Sequence, residues 1–131
     1  MISNLAIIRV TDFIKITPQG NLDFEKTKKV TQEMGSIPGA FTYYDVLIDT
    51  RGAEIQLSVF DIWEVARELA KTIQDNTKGA RAKISVLCPV KKFDHAKFFE
   101  LCSQNRGLNM RAFTTFEDVF DWLGTKLEPT I

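Results

Sequence analysis

Cys88, His95 and Cys102 bring both thiols and the one imidazole of this 131-residue chain into fifteen residues, CPVKKFDHAKFFELC. Groups of this kind ligate metals, form a thiolate nucleophile deprotonated by histidine, or pair as a disulfide. On a helix, residues 95 and 102 share a face but stand two turns, about 10 Å, apart. One tetrahedral metal with bonds of about 2.0–2.3 Å does not span that gap. The chain also lacks a Cys-x-x-Cys pair, so no metal site and no cofactor are expected. Cys102 follows Phe98 by four and adjoins Leu101, the setting of a small core residue. Cys88 ends an apolar run just before Pro89, where α/β folds place ligands. Two readings of it stand: a buried strand thiol, and the nucleophile of a small thiol hydrolase with His95 as base.

Charge narrows the partners. Lys plus Arg and Asp plus Glu are 17 each, so no global field draws the chain to nucleic acid or to an anionic membrane. MISNLAIIRV lacks the basic start and long apolar core of a secretion signal, and no stretch approaches the roughly 20 apolar residues of a membrane helix. A cytoplasmic location, no membrane insertion and reduced cysteines are therefore expected.

The elements that position these residues are legible from periodicity. Residues 5–10 and 13–17 are β-rich runs around Thr11 and Asp12, the pattern of an N-terminal hairpin. From Asn21 the spacing of Phe24, Thr27, Val30, Thr31 and Met34 predicts a helix that Gly35 and Pro38 end. Val46, Leu47 and Ile48 form an unbroken apolar run, expected of a parallel strand covered on both faces. RGAEIQL reads as a loop. Residues 58–76 then carry a stripe of Val59, Ile62, Trp63, Ala66, Leu69, Ala70 and Ile73, with Ser58 and Asp61 in capping-box spacing. Strands at 82–88 and 110–113 are each followed by a helix, at 94–105 and 115–123, closed by Gly107 and Gly124. The expected fold is α/β: a single domain with a mixed sheet, parallel core strands, an N-terminal hairpin and about four helices.

Parallel sheets bind ligands beyond the carboxyl ends of their strands. Here those ends carry Asp49, Arg51 and Gly52, then Lys91 and Lys92. Arg51 is suited to hold a carboxylate or phosphate bidentately, oriented by Asp49, with Lys91 and Lys92 as added charge. The competing reading is that Asp49 and Arg51 pair to shape the loop. The remaining basic residues, Lys78, Arg81, Lys83 and Lys97, read as a solvated surface.

YYDVLIDTRGA, RAKISVLCP and MRAFTTFEDVFDWLG, in this order and separation, resemble the SpoIIAA-like group of small bacterial proteins related to STAS domains. The likeness runs over residues 14–124. It implies a fold akin to anti-sigma-factor antagonists and to the lipid-binding CRAL-TRIO fold, and a regulatory or binding role. The antagonists' Asp-Ser-Ser-Gly phosphorylation motif is replaced by Leu57-Ser58-Val59-Phe60. Only Ser58 is left to take a phosphate, and its other reading is a helix N-cap. The leading expectation is a non-catalytic module binding a protein partner or an acidic or lipidic small molecule. Self-association along the hairpin edge is compatible with it.

Overall fold

The structure, a computed structural model, describes residues 5–9, 13–76 and 82–124. In chain order the elements are β1 (Leu5–Arg9), β2 (Phe13–Pro18), β3 (Gly20–Leu22), α1 (Phe24–Gly35), β4 (Asp45–Asp49), β5 (Ala53–Ile55), α2 (Val59–Asn76), β6 (Lys83–Leu87), a 3-10 turn (Val90–Lys92), α3 (Phe93–Gln104), β7 (Asn109–Phe113) and α4 (Phe116–Leu123). The expected hairpin turn, Thr11 and Asp12, and the basic residues Lys78 and Arg81 lie outside the described residues.

Five strands form the main sheet in the order β1-β2-β4-β6-β7. β1 pairs with β2 antiparallel, Ile7 opposite Ile16, and the other three pairings are parallel. The fold is the mixed α/β arrangement expected, with four helices. From β2 onward the chain steps across the sheet in one direction. Crossovers of one hand then place their helices on one face, and α1, α2 and α3 all lie there. Val46 and Ile48 of β4 meet Val30 and Met34 of α1 and Leu69 and Ile73 of α2 in the main core. Leu47, pointing the other way, joins Phe13, Leu87, Val119 and Leu123 under α4. The unbroken apolar run of β4 is thus explained, since both of its faces are dry.

Phe41, in the connection from α1 to β4, has φ of 65° and is fully buried in the main core. Left-handed backbone at a bulky residue costs about 1–2 kcal/mol, and burial of the ring offsets it.

Three local expectations are corrected. Residues 20–22 are not the start of the helix: they pair in parallel with residues 53–55 as a second, two-stranded sheet, Leu22 opposite Ile55. The helix begins at Phe24, where the Asp23 carboxylate accepts the Lys26 N–H at 2.9 Å. RGAEIQL is therefore not all loop, and its Ala53 and Ile55 face inward. Val59 and Trp63 do not belong to the buried stripe of α2: they are 61% and 41% exposed, with Phe60 at 67%. The first turn of α2 overhangs the sheet, so the stripe closes only from Ile62 onward. Trp63 packs instead against Phe60 and under the Arg106 guanidinium.

The outer edge of β7 is closed by side chains. Glu100 Oε1 accepts the Ala112 N–H at 2.8 Å, and Gln104 Nε2 donates to the Met110 carbonyl at 2.9 Å. Lys97 Nζ balances the carboxylate at 2.8 Å. An open edge is a template for association, and α3 removes this one. Replacing Glu100 with Ala should lower the unfolding free energy by about 1–3 kcal/mol, because a buried N–H loses its acceptor. Urea denaturation checks this, and an unchanged midpoint would contradict the role.

Candidate functional site

Two places at the carboxyl end of the sheet gather functional groups, one on each face. On the α4 face, β4 ends in Asp49, which is 5% exposed. Its carboxylate accepts from Arg51 three times: Nε to Oδ1 at 2.9 Å, Nη2 to Oδ2 at 2.9 Å, and the backbone N–H to Oδ1 at 3.1 Å. Lys15 Nζ stands 3.7 Å from Oδ2. The Arg51 guanidinium also lies over the Phe116 ring, 4.4 Å from its centroid. Asp49 and Arg51 are therefore a paired unit that fixes the β4–β5 turn, and two donors of the guanidinium fork are already committed. Gly52 follows, exposed, with open space around it.

Burial by itself would raise the Asp49 pKa. The Arg51 hydrogen bonds, with the charges of Arg51 and Lys15, outweigh it and hold the carboxyl below its ordinary value of 3.8. A carboxyl held low stabilises the fold above its unfolded pKa and loses that contribution as pH falls through the folded pKa. Replacing Asp49 with Asn should cost about 1–2 kcal/mol at neutral pH, a figure moderated by the partly exposed Arg51. The gap between the two proteins should narrow as pH falls below about 4. Thermal or urea unfolding across pH 2–7 measures it; a gap independent of pH would show that the carboxylate charge is not what stabilises.

On the other face a cavity of about 130 Å³ lies among the ends of β4 and β6, the β3–β5 ribbon and helices α1, α2 and α3. Its walls are almost wholly apolar: Leu22, Val30, Ile48, Ile55, Val86 and Phe99 are representative. Cys88, Lys92 and His95 also line it, as do Thr27 and Ala96. Lys92, His95, Ala96 and Phe99 fall at helical spacing, one face of the turn and helix that follow Pro89. Ala53, Ile55 and Leu57 alternate along the ribbon. Sequence reading passed over this second set because RGAEIQL looked like a loop, although its period of two was the available signal.

Of the five residues expected at a ligand site, only Lys92 lines the cavity. Its ammonium donates one long hydrogen bond, 3.5 Å, to the Ile55 carbonyl. Lys91 is exposed, and Asp49, Arg51 and Gly52 stand apart from the cavity lining. Ser58 is a reciprocal cap: its Oγ accepts the Asp61 N–H, and its own N–H donates to Asp61 Oδ2, both at 3.1 Å. Among the described residues no group of three or more His, Cys, Asp or Glu converges as metal ligands, and no helix is long and apolar enough to cross a membrane.

Cys88 and His95 share the cavity wall, but no hydrogen bond joins them among the described residues. The Cys88 Sγ lies 3.5 Å from the Phe113 carbonyl and is directed to it. Burial raises its pKa from the ordinary 9.0, which favours the neutral thiol over the reactive thiolate. Both cysteines are free and buried. Native protein should therefore react with iodoacetamide only slowly at pH 7 and rapidly once denatured. Fast native alkylation confined to Cys88 would point to an activated nucleophile.

The arrangement can be set beside known proteins. Over 91% of this chain and 91% of its counterpart, it superposes on an uncharacterised protein from Shewanella loihica PV-4 with a TM-score of 0.53 and 16% identity. That protein is described as a DUF3478 family member with a SpoIIAA-like fold. The fold here is SpoIIAA-like. No family model matches the sequence, and no curated protein does. At this identity the likeness concerns the SpoIIAA-like framework, and the site must be read from its own residues.

Proposed function

We propose that this SpoIIAA-like protein is a non-catalytic binding module whose ligand is a small molecule with an apolar body. The observation that carries this reading is the apolar cavity of about 130 Å³ at the carboxyl ends of β4 and β6. Native cores leave few voids larger than a water molecule, and a void with hydrocarbon walls is poorly suited to water. Engineered apolar cavities of about 150 Å³ stay dry and accept benzene. The position agrees with the general placement of ligands in parallel sheets, beyond the strand ends. A binding role also suits the chemistry nearby, since the one thiol in the wall is held protonated and faces a carbonyl.

Benzene is the direct probe. Titrated into isotopically labelled protein, it should shift the amide resonances of Ile48, Ile55, Val86 and Phe99 together and to saturation. Replacing Ala96 with Phe fills the same space and should weaken that binding by about tenfold or more, because packed interiors have no spare volume. Phe60→Ser, on the exposed turn of α2, serves as the control and should leave it unchanged. Benzene shifts that track Phe60 rather than Ala96, or no saturable shifts, would refute the reading.

A further inference from the structure

The cavity has an electrical polarity that its hydrocarbon walls do not require. Lys92 sits at its lining with no carboxylate within ion-pair reach among the described residues, whereas Lys15, Arg51 and Lys97 have theirs. A long bond to one carbonyl leaves most of that ammonium's hydrogen-bonding capacity unused. The same residue is the N-cap of the twelve-residue α3, and no side chain caps that end. The positive end of a helix dipole thus adds to the ammonium. Asp94, the acid in the first turn, is exposed and does not line the cavity. His95, one residue on, does line it and offers a ring nitrogen.

Thr27, on the α1 wall, is 9% exposed, and its Oγ1 is buried without a hydrogen-bond partner. Its neighbour Thr31 donates to the Thr27 carbonyl at 2.9 Å, so that wall is otherwise satisfied. The Thr27 Oγ1 is closed off from the cavity as well as from solvent, so the α1 wall meets a ligand with hydrocarbon and leaves Lys92 as the charged group of the lining.

We infer that the ligand is an alkyl or aryl monocarboxylate, with its hydrocarbon body in the cavity and its carboxylate at Lys92 and the start of α3. One unpaired ammonium and one helix end match a single negative charge. The volume matches a body of about six to eight carbons, against the benzene capacity of a comparable cavity. The inference rests on the cavity being a ligand site.

Octanoate, octan-1-ol and octylamine share one chain and differ in the end group, so the same resonance titration separates charge from hydrocarbon. Octanoate should bind about tenfold more tightly than octan-1-ol, the usual worth of a charge-assisted hydrogen bond. Octylamine should bind weakest. Lys92→Met keeps the apolar stem and should remove most of the octanoate advantage over octan-1-ol. Lys91→Met, at the exposed neighbour, should change neither. Equal binding of octanoate and octan-1-ol with benzene still bound would overturn the carboxylate inference and leave the cavity reading intact. Loss of benzene binding as well would overturn both.

Discussion

The whole arrangement depends on β4 being buried on both faces. A strand with Val46 and Ile48 on one side and Leu47 on the other needs cover above and below. The chain supplies three helices to one face because it crosses β2, β4, β6 and β7 in a single direction, and among the described residues only α4, added after β7, reaches the other. The two faces therefore receive unequal covers. On the α4 face eight helical residues close a small aromatic core of Phe13, Phe113, Phe116, Phe120 and Trp122 around Leu47 and Val119. On the opposite face three helices and the β3–β5 ribbon meet around the strand ends, and their junction leaves the cavity.

Unequal cover also explains where charge is tolerated. Asp49 continues the Leu47 face to the start of α4, where Phe116 packs against Arg51 and Lys15, and its carboxylate is met by those two cations. Its partners make it a structural unit at the β4–β5 turn. Lys92 occupies the opposite situation: it borders hydrocarbon, and among the described residues its ammonium meets one carbonyl and no carboxylate. A satisfied charge pair and an unsatisfied cation thus stand at the same end of one sheet, on different faces. The difference lies in what each is left free to bind.

The sulfur chemistry follows from the same packing. Cys88 continues the Val86 face, so it reaches the cavity wall, but the neighbouring strand presents the Phe113 carbonyl to its thiol. Desolvation favours the neutral form. Proximity of Cys88 and His95 around one cavity is a consequence of the β6–α3 connection, and among the described residues no hydrogen bond joins the two.

Much of this was legible in the sequence. The alternation of strands and helices, the doubly buried β4, the glycines that close α3 and α4, and the likeness carried by YYDVLIDTRGA and MRAFTTFEDVFDWLG are all local or periodic signals, fixed by backbone preference and side-chain spacing. The pairing of Asp49 with Arg51 was one of two sequence readings, because residues two apart across a strand end are close in any fold. Tertiary structure alone decided three things. It paired residues 20–22 with 53–55, which needs a long-range partner for each short segment. It left Val59, Phe60 and Trp63 outside, because helical periodicity says which residues share a face but not how far the helix overhangs its support. And it shaped the cavity, since a void is defined by what many distant side chains fail to fill, a property that no single stretch of chain carries.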